Sequence, residues 1–272
     1  MRLTWLSDLH LDHADKEAVG DLLDSVNEHE PDVVVITGDT AEATSLKAYL
    51  EIMSSVIKAP IYFVCGNHDY YKGDIAHVRE FVCKSYSAPP LVYLPQQPKP
   101  VQLDVNTALI GIDGWGDARV GAFTSTHVML ADWYAIQDFK VISALSNMRN
   151  RNKKLHELGS AEAAALRLSL NRALAGKGDT VYVAMHAPPF WEASWHEGKK
   201  SDKFWAPWFV CKAAGDVLSE AAEKYPSKTI NVLCGHTHGE GVYKPRSNLI
   251  VYTASAQYGS PVVYKTIELG SS

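Results

Sequence analysis

The sequence predicts an α/β protein in which two sheets pack between helices, and three observations lead there. Short apolar runs alternate with stretches of helical period from the start of the chain to about residue 90. Those runs are continuously apolar rather than alternating, so both of their faces are expected to be covered, as in a parallel sheet between helices. Beyond residue 90 the strand-like runs crowd together, which predicts a second sheet.

Leu3 to Leu6 is the first strand, and Ala14 to Asn27 follows as a helix with Ala18, Val19, Leu22, Leu23 and Val26 on one face. Asp32 to Thr37 is a β-branched run closed by Gly38, Ser45 to Ile57 a helix, and Pro60 to Cys65 a further run closed by Gly66. Leu91 to Leu94, Val101 to Val105 and Ala108 to Ile112 are expected as strands of a second, more antiparallel sheet. Ser125 to about Ala175 reads as helical, interrupted by the polar stretch Asn147 to Lys154, and forms a helical insertion, cap or outer layer around residues 115–178. Strands resume at Thr180 to Met185, Thr229 to Cys234, Leu249 to Ala254 and Val262 to Ile267, with a helix at Val210 to Lys224. No linker composition and no repeat period interrupts the series, so residues 1–272 are read as one domain.

Composition narrows the function classes. Of 272 residues, 46% are apolar and 21% charged, enough to build a substantial core. A net charge of −5 argues against affinity that comes mainly from coating nucleic acid phosphates. No run of about eighteen apolar residues is present, and Met1 to Asp8 lacks the apolar centre of a signal peptide. A cytoplasmic protein without a membrane span is the expectation. Cys65, Cys83, Cys211 and Cys234 stand far apart and are expected as free thiols.

Polar chemistry collects where the apolar runs stop. Asp8 and His10 follow the first run, Asp39 the second, Asn67-His68-Asp69 the third, His186 the Thr180 run, and His236 and His238 the Thr229 run. In open α/β sheets the carboxyl ends of strands face a common crevice, so five segments point at one place. Imidazole nitrogens with carboxylate oxygens suit Mn²⁺, Fe²⁺ or Zn²⁺. Asp8, His10, Asp39, Asn67, His186, His236 and His238 are enough for two such ions if one carboxylate bridges them, and Asp39 is the natural bridge. Gly38, Gly66 and Gly235 are expected to turn the backbone sharply off its strand, in conformations costly for other residues.

In this order, Asp8-Leu9-His10, Gly38-Asp39, Gly66-Asn67-His68-Asp69, His186 and Gly235-His236-Thr237-His238 resemble the five signature blocks of the calcineurin-like metallophosphoesterases. The resemblance spans residues 8–238 with every block filled. It implies a four-layer α/β/β/α sandwich of two mixed sheets. It also implies one metal on Asp8, His10, Asp39 and His238, and a second on Asp39, Asn67, His186 and His236. By the same resemblance His68 is the catalytic histidine, placed to contact a phosphoryl oxygen or to protonate the leaving alkoxide, and Asp69 is a supporting acid. The expected reaction is hydrolysis of a phosphodiester or phosphomonoester, nucleotide-like esters among the candidates, by in-line attack of a metal-bridging hydroxide. A nuclease is the alternative within enzymes. A non-catalytic scaffold of the same fold is the alternative outside them, disfavoured because the blocks are complete.

Downstream of His186 lie Phe190, Trp191, Trp195, Phe204, Trp205, Trp208 and Phe209. Trp191 and Trp195 are expected substrate contacts beside Asn67 and His68, with a packed cluster or dimer contact as the plain alternative. His13, His127, His156 and His196 lack company in sequence and are read as surface or core residues. Two basic clusters, Arg149 to Lys154 and Lys199 to Lys203, are read as solvated, and would support a nuclease only if they stood beside the crevice.

Overall fold

The protein is described by a computed structural model covering residues 1–144 and 148–270. Its strands in chain order are β1 Arg2–Leu6, β2 Val33–Thr37, β3 Ile61–Val64, β4 Ser87–Ala88, β5 Leu91–Tyr93, β6 Val101–Gln102, β7 Thr107–Gly111, β8 Thr180–Ala184, β9 Trp195–His196, β10 Lys199–Lys200, β11 Thr229–Cys234, β12 Gly241–Arg246, β13 Leu249–Thr253 and β14 Lys265–Glu268. The helices are α1 Lys16–Glu28, α2 Leu46–Val56, α3 Ile75–Ser85, α4 Asp132–Ala135, α5 Gln137–Ala144, α6 Met148–Leu174, α7 Ala206–Phe209 and α8 Lys212–Lys224.

Two mixed six-stranded sheets form, ordered β14-β1-β2-β3-β5-β4 and β12-β13-β11-β8-β7-β6. Their parity with the side chains explains the layers. On β1 and β2, Leu3, Trp5, Val33 and Val35 point inward to meet Leu109, Tyr182, Ala184 and Leu233 of the other sheet. Their neighbours Leu6, Val34 and Ile36 point outward onto Leu22, Val26, Leu50 and Met53 of α1 and α2. The second sheet does the same, sending Val181, Val183, Ile230 and Val232 outward onto Leu166, Leu170, Val217 and Leu218 of α6 and α8. The result is helices, sheet, sheet, helices. The all-buried runs of β2 and β11 are the consequence of strands covered on both faces.

Three expectations change. The second sheet is no more antiparallel than the first: β7, β8, β11 and β13 run parallel, and antiparallel pairing is confined to β6–β7 and β12–β13. Leu91 to Tyr93 joins the first sheet, parallel to β3, because α3 carries the chain back across. The polar stretch from Met148 to Lys154 is the first part of α6 rather than an interruption; Asn147 lies outside the described residues. Lys and Arg are good helix formers, Lys153 pairs with Glu157 one turn on, and Leu155 and Leu158 supply the buried stripe. Within 115–178, α6 packs on α8 and β7 as part of the outer layer, while α4 brings Asp132 to the crevice described below. Among the described residues no helix is long and apolar enough to cross a membrane. The four cysteines are unpaired, three of them buried.

Candidate metal centre

The seven candidate ligands meet at the carboxyl ends of β1, β2, β3, β8 and β11, and backbone hydrogen bonds stitch those ends together. Asp8 N donates to Gly38 O (3.1 Å), His10 N to Asp39 O (2.9 Å) and Gly235 N to His186 O (2.9 Å). The stitching forces strain onto the ligands themselves. Nine non-glycine residues have positive φ among those described, and five are Asp8, His10, Asp39, His236 and His238. Such conformations cost energy and persist where surrounding structure over-determines them, as at a working site. Of the three glycines expected to turn the backbone, only Gly38 does so through an unusual φ, +92°. Gly66 and Gly235 are needed for a different reason: a Cβ there would collide with the carboxylate oxygens of Asp39 and Asp8, respectively.

The enclosed half of the cluster is Asn67, His186 and His236 with Asp39. His186 Nε2 lies 2.9 Å from Asn67 Oδ1, 3.1 Å from His236 Nδ1 and 3.4 Å from Asp39 Oδ2. The opposite ring nitrogens face carbonyls, His186 Nδ1 on Thr37 O (2.9 Å) and His236 Nε2 on Trp208 O (3.2 Å). In the neutral form of both rings, an N–H on each of those nitrogens leaves a lone pair on His186 Nε2 and on His236 Nδ1, facing each other across 3.1 Å. Two lone pairs and a carboxylate at that spacing call for a cation. Donor atoms around an ion with bonds of about 2.1 Å stand about 3.0–3.5 Å apart, which is the spacing here.

The open half is Asp8, His10 and His238, again with Asp39. His10 Nε2 and His238 Nε2 are 3.0 Å apart, His238 Nε2 is 3.5 Å from Asp8 Oδ1, and Asp39 Oδ2 is 3.8 Å from His10 Nε2. Asp8, His10 and His238 satisfy the mutual spacing of a metal cluster, as do Asp8, Asp39 and His186. Asp39 Oδ2 thus borders both halves, while its Oδ1 accepts from His68 N (2.8 Å).

Charge is balanced to suit. Burial opposes ionising Asp8, but the His238 hydrogen bond and the neighbouring imidazoles take its carboxyl down to about 2. Burial also opposes charging His186, yet Asp39 and Asp8 push it up to about 10, so without an ion the ring holds a second proton that metal binding would displace. Burial holds His10 and His236 down, to about 4 and about 3, so both are neutral and in the form that ligates metal.

The His68 side chain stands on the open side, its Nε2 4.0 Å from Asp39 Oδ2 and 3.4 Å from the Tyr258 hydroxyl, its ring stacked on Tyr71 at 4.1 Å. Asp69 points away from the cluster: its buried carboxylate accepts from the backbone N–H groups of Asp39, Thr40, Ala41 and Gly66 at 2.7–3.0 Å, clamping the ends of β2 and β3 together. Beneath, Asp113 performs the same service between the sheets. It accepts from Cys65 N (2.9 Å), the hydroxyls of Tyr70 and Tyr93, and Arg79, while its carbonyl receives His186 N.

A crevice of about 340 Å³ opens over the cluster. Its walls include Tyr71, Asp132, His196, Trp205, Phe209 and Tyr258, none of them among the expected site residues. Trp191 and Trp195 stand elsewhere: Trp191 Nε1 donates to Ser201 O (2.8 Å), and the Trp195 indole packs on Gly241. The rings that reach the crevice come from the end of that aromatic stretch, where α7 turns them back. His196 joins them, its ring 5.4 Å from Trp205 and 5.5 Å from Phe209. Asp132 is buried, and Oδ1 accepts from Asn67 Nδ2 (2.9 Å) and the Tyr71 hydroxyl (2.7 Å), which turns the Asn67 carbonyl toward His186.

The family model for calcineurin-like phosphoesterases matches residues 1–240. The chain belongs to that family. A zebrafish transmembrane protein with a metallophosphoesterase domain is 37% identical over 79 residues, which is 28% of this chain and 18% of that protein's length. Among solved structures, a phosphopantetheinyl hydrolase from Mycobacterium tuberculosis superposes with a TM-score of 0.66 at 16% identity, covering 94% of this chain and 89% of the other. A dimetal phosphatase from zebrafish gives 0.54 at 12% identity, covering 94% and 87%. At these identities the two structures attest the shared fold of two mixed sheets between helices. Membership of that family is what the matched residues 1–240 establish, and the candidate ligands lie within that span.

Proposed function

We propose that this calcineurin-like phosphoesterase hydrolyses a small phosphoester at a dinuclear centre, one ion held by Asp8, His10, Asp39 and His238 and the other by Asp39, Asn67, His186 and His236. The observation that carries the reading is the position of Asp39 Oδ2, 3.4 Å from His186 Nε2 on one side and 3.8 Å from His10 Nε2 on the other. The nitrogen and oxygen donor set suits Mn²⁺, Fe²⁺ or Zn²⁺. When bound, such ions would make hydroxide available near neutral pH and offset phosphoryl charge.

The protein's own groups do the rest. Asn67 and His68 border the space where a phosphoryl group must sit, and His68, on the open side, is placed to hand a proton to the departing alkoxide. The Tyr258 hydroxyl at 3.4 Å from His68 Nε2 orients that ring from solvent, and Tyr71 holds it from behind. Ligands drawn from residue 8 to residue 238 support reading the chain as one catalytic unit, with the 115–178 segment serving both as outer layer and, through Asp132, as part of the crevice. Four unpaired cysteines are in keeping with a reducing, cytoplasmic setting.

The basic clusters favour a small substrate over nucleic acid. Lys200 and Lys203 lie over the Trp191 and Phe204 rings, Lys153 and Lys154 pair with Glu157 and Asp138, and none of these four lines the crevice. The test is metal content and turnover together. Purified protein supplied with Mn²⁺ should hold about two ions per chain and release p-nitrophenol from aryl phosphoesters, with both properties lost on chelation. A protein that binds two ions and turns over no phosphoester would defeat the proposal.

A further inference from the structure

The loop after β13 brings a phenol to the crevice by a turn that its sequence prescribes. In Gln257-Tyr258-Gly259-Ser260, Ser260 N donates to Gln257 O (3.2 Å) and Gly259 has φ +77°. This is a type II turn, with Tyr258 at its first corner and glycine at the corner that needs positive φ. Backbone bonds tie the loop down on either side, from Ala254 N to Cys234 O (2.8 Å) and from Tyr264 N to Trp5 O (3.1 Å). The Tyr258 ring is thereby laid against His10, His13 and His238, at centre distances of 4.3, 5.1 and 5.1 Å.

Packing on those imidazoles requires a ring and no hydroxyl. The hydroxyl nevertheless stands at the crevice, and its one partner among the described residues is His68 Nε2 at 3.4 Å. That is long for a hydrogen bond, and two donors so spaced can both reach a single oxygen at about 2.7–3.0 Å. In-line displacement sends the leaving oxygen to the side of phosphorus away from the attacking oxygen. It therefore departs from the ligand cluster into the crevice, which His68 and Tyr258 both line.

We infer that Tyr258 is a catalytic residue whose hydroxyl donates a hydrogen bond to the leaving oxygen that His68 protonates. The inference rests on the phosphoesterase reading above, with His68 as the acid. As the oxygen of water bonds to phosphorus, the P–O ester bond breaks and its electron pair stays on the leaving oxygen. His68 Nε2 supplies the proton, while the phenol, neutral near pH 7, donates its hydrogen bond and keeps its own proton. A donor aimed at charge that develops in the transition state matters most where the leaving group is a strong base.

The Mn²⁺-loaded full chain is assayed on p-nitrophenyl, phenyl and ethyl phosphates, each as the monoester and as the methyl diester, so that either preference can be followed. Tyr258→Phe keeps the ring on the imidazoles and removes the hydroxyl alone. It should retain about two ions by elemental analysis, lower kcat about tenfold on ethyl esters and about threefold on phenyl esters, and leave p-nitrophenyl esters within about twofold. The phenyl esters also serve a double variant, in which Tyr258→Phe should lower the rate of His68→Ala by at least about a further threefold. No further loss there means that Tyr258 acts only through His68, which overturns the direct contact. Equal losses on all three leaving groups, or the loss of an ion, overturn the assignment to the leaving oxygen. Each of these results leaves the phosphoesterase reading standing. Two bound ions with no turnover of any ester removes that reading, and this inference with it.

Discussion

The two halves of the ligand cluster are built to different standards. In the enclosed half each imidazole has its far nitrogen on a backbone carbonyl, Thr37 O or Trp208 O, and Asn67 is turned by Asp132; the His186 side chain is 1% exposed. In the other half His10 and His238 are held by packing on one another and on Tyr258, at ring distances of 5.0, 4.3 and 5.1 Å; His238 is 23% exposed, while His10 is buried like His186. Outer hydrogen bonds fix tautomer and direction and raise ligand basicity, so the enclosed half should bind its ion first and release it last. Both halves reach the crevice, through Asn67 and His236 on one side and His238 on the other, and ion exchange is expected first at the half that lacks the outer hydrogen bonds. Affinity and turnover are thus expected to divide between the halves.

The largest effect should come from the one residue common to both. Asp39→Asn keeps the size of the side chain but removes the shared charge, and should lower bound metal from about two ions to one or fewer, with kcat down at least about 10³-fold. Elemental analysis beside kinetics decides it, and an active variant with two ions would end the idea of a shared ligand. Next is His68, on the open side. His68→Ala should keep its metal yet lose about 10²-fold in kcat on alkyl esters, and much less on p-nitrophenyl esters whose leaving group needs no proton. Equal losses on both would leave His68 without an acid role.

How much of this was readable in the chain follows from the range of the interactions involved. The candidate ligands were legible because each sits two to four residues beyond a buried strand, where apolar pattern and polar residue are close in sequence. The sheets were legible for the same local reason, although the side of the second sheet on which strands pair parallel depends on crossovers through α6 and α8, which no local pattern reports. Asp132, Tyr71, Tyr258, Trp205 and His196 left no such mark. They reach the crevice from α4, from the 3-10 turn after β3, from the loop after β13 and from the region of α7 and β9, brought there by packing between distant segments. Within the aromatic stretch after His186, Trp205 and Phe209 line the crevice and Trp191 and Trp195 do not, since proximity to a candidate ligand in sequence says nothing of which ring α7 turns inward.

Asp132 is the sharpest probe of the enclosed half because it lies outside the cluster it supports. Its carboxyl is pushed up by burial, while the Tyr71 hydroxyl and the Asn67 amide, both donating to it, act in the opposite direction. Asp132→Asn presents the Asn67 amide with a weaker acceptor or a competing donor, freeing Asn67 to turn its carbonyl away from His186. Affinity for the more tightly held ion should fall about 10- to 100-fold, read by Mn²⁺ titration in the absence of substrate. If instead only the weaker ion is lost, the enclosed half is not the tighter one and the comparison fails.

Tyr71 gives the smallest and most discriminating effect, because its hydroxyl and its ring serve opposite halves. The hydroxyl donates to Asp132 at 2.7 Å and belongs to the enclosed half, while the ring lies 4.1 Å from His68 and belongs to the open one. Tyr71→Phe removes one hydrogen bond, about 1 kcal/mol, and should weaken the tighter ion about fivefold while the His68 ring stays stacked. Turnover at saturating Mn²⁺ should then fall no further than residual occupancy requires. Tyr71→Leu removes the ring as well, and should add a loss on alkyl esters that saturating Mn²⁺ does not restore, since His68 is then free to leave the position from which it reaches the leaving oxygen. If the two variants behave alike at saturating metal, the ring does not position His68, and the division of labour between the halves stops at the metal ligands.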